Sequence, residues 1–159
     1  MLTERLELRP LPQAAAAALP GDRDAAARMI GAKLSDEWPQ PDVLDVLPRH
    51  SGLDPSSLQF GVWLIIERAS DTVIGDIGFF GPPGEERTIE IGYGVVPEQQ
   101  RRGYATEAAG ALAGWALRQP GVDAVVARCD VDNQASIRTL ERAGFERIGE
   151  DGGQLRWRR

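Results

Sequence analysis

The order of apolar segments predicts a mixed α/β (α+β) domain, a mostly antiparallel sheet with one helix crossing between two parallel strands near its middle. Three observations carry that prediction. Ile89 to Val96 is apolar, β-branched and closed by Pro97, which cannot donate to a sheet ladder, so it reads as a strand. From Tyr104 onward apolar residues recur at Ala105, Ala108, Ala109, Leu112 and Ala116, the spacing of one helix face, until Pro120 and Gly121 stop the helix. Asp123 to Cys129 is a second apolar strand, and two strands joined by a crossover helix lie parallel.

Thr3 to Arg9 alternates, with Leu6 and Leu8 on one side, and reads as a strand ended by Pro10 and Pro12. Ala14 to Leu19 is helical by propensity and stops at Pro20-Gly21. Ala25, Ala26, Met29 and Ile30 predict a helix capped by Asp22 or Asp24 and closed at Gly31. Leu34 to Ser57 is interrupted by Pro39, Pro41, Pro48, Gly52 and Pro55 and reads as a loop with one short helix from Asp42 to Leu47. Phe60 to Glu67 and Val73 to Phe80 read as a hairpin, and Gly81 to Glu86 is a turn into the strand at Ile89. Asn133 to Ala143 is a helix with Gly144 as its stop. Phe145 to Ile148 and Leu155 to Arg158 form a last hairpin around Asp151-Gly152-Gly153.

At 159 residues the chain predicts one domain, 1–159. Its 42% hydrophobic and 26% charged residues exclude a disordered or membrane class. No apolar run nears the roughly 18 residues of a spanning helix. The start, with Glu4, Arg5, Glu7 and Arg9, has no signal-peptide core, so a soluble cytoplasmic protein that engages no membrane is expected. A single cysteine, Cys129, and a single histidine, His50, supply neither a disulfide nor a zinc set, and no metal is expected. The net charge of −6 argues against a nucleic-acid partner; it suits a cationic amine, although solubility alone accounts for it more simply.

Between the central strand and helix lies Pro97-Glu98-Gln99-Gln100-Arg101-Arg102-Gly103. A helix start presents backbone N–H groups without intrahelical partners at the positive end of the dipole, which suits a phosphate. Gly103 and Ala105 let a pyrophosphate approach the backbone, and Arg101 and Arg102 add cationic donors, so a diphosphate is expected here. The loop is neither G-x-x-x-x-G-K-[ST] nor G-x-G-x-x-G.

Gln100-Arg101-Arg102-Gly103-Tyr104-Ala105 resembles the [QR]-x-x-G-x-[GA] signature of the GNAT superfamily of acetyl-coenzyme A-dependent N-acetyltransferases. Thr106-Glu107-Ala108, Glu90-Ile91-Gly92-Tyr93, Asp132 to Ser136, Leu140 to Phe145 and the opening Thr3 to Pro10 resemble the branch that acetylates ribosomal-protein N-terminal amines. The resemblance implies a sheet of about six to seven strands with a splayed parallel pair and about four flanking helices. Acetyl-coenzyme A is implied as co-substrate, its thioester entering the gap beyond residues 95 and 130. Its implied contacts are Val95, Val96, Gln100, Arg101, Arg102, Gly103, Tyr104, Ala105, Thr106, Asn133 and Ser136.

Direct attack of an amine on a thioester needs a neutral amine, donors for the carbonyl oxygen and a proton for the thiolate. A backbone N–H at Val95 or Val96 is the expected oxyanion donor. Leu140 stands where many relatives have a tyrosine, so the resemblance leaves Ser136 as the acid, or as a helix-cap residue, or both. For the base it points to Glu90, acting through water, with Glu150 and Asp151 behind it; Glu90 as a structural carboxylate is the alternative. Tyr93, Trp38 and His50 are candidate acceptor contacts, and for the latter two a packed tryptophan and a solvated histidine are the simpler reading. Cys129 reads as core rather than nucleophile. The acceptor is expected to be a primary amine: a protein N-terminus, an amino acid or peptide, or a small molecule. The rival function is a non-catalytic acyl-coenzyme A-binding module. Relatives usually carry a longer last strand, so a trimmed sheet or completion by a second subunit is expected, and monomer and homodimer both remain open.

Overall fold

In the computed structural model, which describes residues 1–159, eight strands form one sheet in the order β1-β3-β4-β5-β6-β8-β7, with β2 pairing in parallel to the start of β4. The strands are β1 (Leu6–Pro10), β2 (Lys33–Leu34), β3 (Val62–Glu67), β4 (Thr72–Phe79), β5 (Thr88–Val95), β6 (Ala124–Asp130), β7 (Glu146–Asp151) and β8 (Gln154–Arg158). The helices are α1 (Gln13–Ala18), α2 (Arg23–Ile30), α3 (Pro41–Ser51), α4 (Tyr104–Ala116) and α5 (Gln134–Arg142), with 3₁₀ turns at Pro55–Phe60 and Pro97–Gln99. The expected mixed sheet with a splayed parallel pair, β5 and β6, is present; the strand beyond the expected six to seven is the two-residue β2, and five α-helices stand where the resemblance implied about four.

Register decides what each face of the sheet carries. Leu8, Ile65, Gly75 and Val95 form one row across four strands, and Pro10, Trp63, Ile77 and Tyr93 form the row two residues along. Because successive residues point to opposite faces, these rows share one face, and the rows Leu64-Asp76-Gly94 and Val62-Gly78-Gly92 share the other.

The first face is covered by α4. Its Ala108, Ala109, Ala113 and Ala116 are buried and lack bulk, so the helix sits close to the sheet. Trp115 fills the remaining space against Trp63, ring centroids 5.2 Å apart, and against Phe79 at 6.1 Å. The second face is covered by α1, α2 and α3, with Arg9 of β1 donating to the Ile30 carbonyl at 2.6 Å.

Two local expectations are corrected. The helix expected over 42–47 runs from Pro41 to Ser51, through Pro48. Pro48 removes one helical donor, but the last turn is held from outside: His50 donates from Nε2 to the Leu11 carbonyl (2.7 Å) and accepts at Nδ1 from the Val62 N–H (3.1 Å). His50 is therefore a buried residue, 2% exposed, and not a solvated one. No helix is long and apolar enough to cross a membrane.

Candidate active site

Parallel pairing of β5 with β6 is confined to Thr88, Glu90 and the residue between them, opposite Ala124 to Val126. Beyond Glu90 the two strands part, and β6 turns its other edge to β8 from Val126 to Asp130. The resulting gap is lined on the β5 side by unpaired backbone. Val96 donates to the Ile74 carbonyl at 2.9 Å and Phe80 to the Glu90 carbonyl at 3.2 Å. In an antiparallel ladder alternate residues bond the same neighbour, so residues 90, 92, 94 and 96 face β4 while Tyr93 and Val95, beyond the last position paired with β6, point their N–H groups into the gap. This corrects the pair of expected oxyanion donors: Val95 is free for that role, and Val96 is not.

The loop after β5 is a nest of backbone donors. Gln100 donates its N–H to the Pro97 carbonyl and its side-chain amide to the Val95 carbonyl at 2.9 Å, so it closes the 3₁₀ turn and its N–H is not an available phosphate donor. From Arg101 through Gly103 and Tyr104, Ala105 and Thr106, the backbone N–H groups make no hydrogen bond within the chain, because the first helical bond runs from Glu107 to the Gly103 carbonyl. Arg101 at φ +63° and Gly103 at φ +83° are both left-handed, a conformation that turns successive N–H groups toward one concave point. Arg101 and Arg102 are exposed beside it.

A brace from the chain start holds this loop. Thr3 donates to Glu107 at 2.6 Å, the Arg5 N–H and guanidinium donate to the same carboxylate at 2.8 Å each, and Arg5 also donates to the Arg102 carbonyl at 2.8 Å. The Arg5 guanidinium lies 4.6 Å from the Tyr104 ring centroid, and the Tyr104 hydroxyl bonds Glu67. Burial pulls the Glu107 carboxyl upward, but the bonds from Thr3 and Arg5 outweigh it and hold the group below the usual range. Sequence reasoning passed over this brace, since residues 3 and 107 meet only through the fold.

On the far side of the gap, Asn133 caps α5 by accepting from the Ser136 N–H at 3.0 Å, which commits its Oδ1 and leaves its amide donors without a partner in the chain. The Tyr93 hydroxyl lies 3.4 Å from the Ser136 carbonyl oxygen, and burial first of all raises its pKa to about 12. Tyr93, read as an acceptor contact, thus meets Ser136, read as the acid, and its phenol stays protonated at neutral pH.

A cleft of about 320 Å³ joins the gap to the second face of the sheet. The opposed pair Gly78 and Gly92 lines it, with the Phe80 ring lying close over Gly92; its walls include Val46, Phe60 and Ile91, and Tyr93, Ser136 and Arg128 stand where it meets the gap. Sequence reasoning missed the acid in it. Asp76, half-buried on β4, accepts from Trp38 Nε1 at 2.8 Å, and no cation pairs with it. Burial raises its pKa to about 7, against the Trp38 hydrogen bond, with the Asp42 charge adding to the rise. The signal was a lone aspartate inside the apolar run Val73 to Phe80.

Four nominated residues stand elsewhere. Trp38 is fully buried at 0% exposure, behind Asp76, so it acts on the cleft through that carboxylate and not by touching an acceptor. Glu90 does not line the cleft; its carboxylate is turned to Arg128 Nε at 3.5 Å, at the last paired position before the strands part. Glu150 pairs with Arg147 at 2.9 Å on the outer hairpin, and Asp151 is exposed at its turn. Cys129 is buried, with Trp157 Nε1 3.3 Å from its sulfur.

The family profile described as the acetyltransferase (GNAT) domain matches residues 5–146. A Bacillus subtilis protein named as the uncharacterised N-acetyltransferase YjdG is 34% identical over 123 residues, 76% of this chain and 73% of that one. Among solved structures, the ribosomal-protein-S5-alanine acetyltransferase from Vibrio fischeri superposes with a TM-score of 0.71 at 16% identity, covering 100% of this chain and 94% of that one. The ribosomal L7/L12 α-N-protein acetyltransferase RimL, solved with coenzyme A, superposes at 0.68 with 19% identity over 100% and 96%. At these identities the two structures show likeness of fold. The profile and the B. subtilis relative go further: an N–H-lined helix entrance beside a parted parallel strand pair, on a chain matched from residue 5 to residue 146, belongs to the GNAT acetyltransferase family.

Proposed function

We propose that the chain moves an acetyl group from acetyl-coenzyme A to a primary amine by direct attack in a ternary complex. The acceptor classes are those the sequence reading left open: a protein N-terminus, an amino acid or peptide, or a small-molecule amine. One observation carries the proposal: the free N–H groups of residues 101–106 at the helix entrance and those of the β5 edge at Tyr93 and Val95 in the gap form two neighbouring stretches of donors. Such a pair suits a diphosphate at the first and an extended amide-bearing arm along the second.

In this reading the 101–106 backbone with Arg101 and Arg102 binds the pyrophosphate, and the amide donors of Asn133 hold the arm. The Val95 N–H stabilises the carbonyl oxygen as it gains charge. Ser136, with the Tyr93 hydroxyl beside it, supplies the proton for the departing thiolate. Glu90 holds Arg128 at the mouth of the cleft.

The test is calorimetric titration with coenzyme A, followed by release of free thiol from acetyl-coenzyme A across a panel of primary amines. Binding with thiol release and a matching acetylated amine supports transfer. Binding with no thiol release from any amine supports the non-catalytic acyl-coenzyme A-binding module, and absence of binding ends both readings.

A further inference from the structure

The acceptor cleft contains a carboxylate that nothing in the chain neutralises. Asp76 uses one oxygen to accept from Trp38, and its other oxygen makes no bond within the protein. The charged and titratable groups facing it are otherwise engaged. On α3, His50 has both ring nitrogens bonded, Arg49 donates to the Phe80 carbonyl, and Asp42 is a second negative charge; on β6, Arg128 is turned to Glu90; on β5, Tyr93 is a neutral phenol; and β3 offers Leu64. A half-buried carboxylate without a counter-ion is costly, and the missing partner is a cation. The space beside it is small and apolar, near the low end of the roughly 300–1,000 Å³ typical of ligand pockets.

We propose that Asp76 receives the reacting amine, binding a primary ammonium carried on a residue-sized apolar body and taking one proton from it before attack. This rests on the acetyl-transfer reading and names the substrate class of that site. The freed lone pair forms the C–N bond at the thioester carbonyl carbon, and the C–S bond breaks with its electron pair leaving on sulfur. The second proton on nitrogen passes to the thiolate by way of Ser136 and Tyr93, and the proton on Asp76 returns to solvent, so one proton is released per amide formed.

The test separates binding from turnover. Phenethylamine and its neutral counterpart 2-phenylethanol are titrated by NMR into the wild type at pH 8.5 and 5.5 and into Asp76→Asn, whose side-chain oxygen still accepts from Trp38. At pH 8.5 the wild type binds the amine about tenfold more tightly than the alcohol, and the preference disappears at pH 5.5 and in the variant. The pH series needs no variant, so a folding defect in Asp76→Asn does not blur the outcome. Wild-type protein that binds both probes alike, or neither, overturns the proposal, and so does a preference that survives in Asp76→Asn.

In turnover, Asp76→Asn lowers kcat/KM about 100-fold or more at pH 7 with the acetyl-coenzyme A KM unchanged. Trp38→Phe, which removes a bond favouring the carboxylate, shifts the acidic limb of the profile to higher pH. A preference for the amine in a protein that releases no thiol would refute the transfer reading and leave the ammonium site standing.

Discussion

Gly103 offers a sharp test of the phosphate cradle, because three substitutions there separate backbone strain from charge. Its φ of +83° is left-handed, so any side chain costs about 1–2 kcal/mol of backbone energy, less for asparagine and aspartate. Space is not the obstacle: an added Cβ would stand 3.4 Å from the Arg5 guanidinium, the far end of a flexible side chain. Gly103→Ala and Gly103→Asn should therefore lower Tm by about 2–6 °C and weaken coenzyme A by about tenfold, through distortion of the N–H groups. Gly103→Asp adds a negative charge about 5 Å from the phosphates. At an effective dielectric of about 20 this is about 3 kcal/mol per phosphate charge. Arg5 stands close enough to offset part of that, although Glu107 and the Arg102 carbonyl already engage it. The expected net is a further 100-fold loss beyond asparagine, shrinking as salt is raised. Calorimetry of coenzyme A on the three variants, with melting curves alongside, measures both quantities. Aspartate and asparagine variants of equal affinity would refute the placement of a diphosphate at this helix entrance.

Ser136→Ala should lower kcat about 100-fold with cofactor affinity within threefold, and Tyr93→Phe about tenfold, read from single-turnover thiol release; full speed in Ser136→Ala would remove it as the proton donor. Glu90→Gln should change kcat/KM less than tenfold and leave the acidic limb of the pH profile in place, since its carboxylate is turned to Arg128; loss of that limb would restore Glu90 as the base. His50 should make the fold acid-sensitive. Burial lowers its pKa, despite the bond to the Leu11 carbonyl, so protonation favours the unfolded chain; its stabilisation is whole above the unfolded value of 6.5 and is lost as pH falls below it. Urea unfolding at pH 7.5 and 5.5 should show that loss in the wild type and a smaller one in His50→Gln, which is itself about 2 kcal/mol weaker at pH 7.5.

The sequence by itself determined the strand, loop, helix and strand that carry the cofactor side of the site. Pro97, Gly103, the alanine face of 105–116, the stop at Pro120 and the Asn133 cap act on neighbours within about four residues, and local rules reach that far. The acceptor side was decided by the tertiary structure. Pro48 reads as a helix breaker until His50 is seen bonded to Leu11 and Val62, 39 and 12 residues away. Val95 and Val96 are alike in sequence, and only the register against β4 directs one N–H into the gap and the other to Ile74. Glu90 stands out in the chain as the strand's carboxylate, whereas Asp76 looks like an interruption of an apolar run. Pairing then turns the first to Arg128 and sets the second against Trp38 in the cleft. The physical reason is common to all of these: a carboxylate's role depends on the cations and solvent around it, and a strand residue acquires those neighbours only when segments far apart in the chain fix their register.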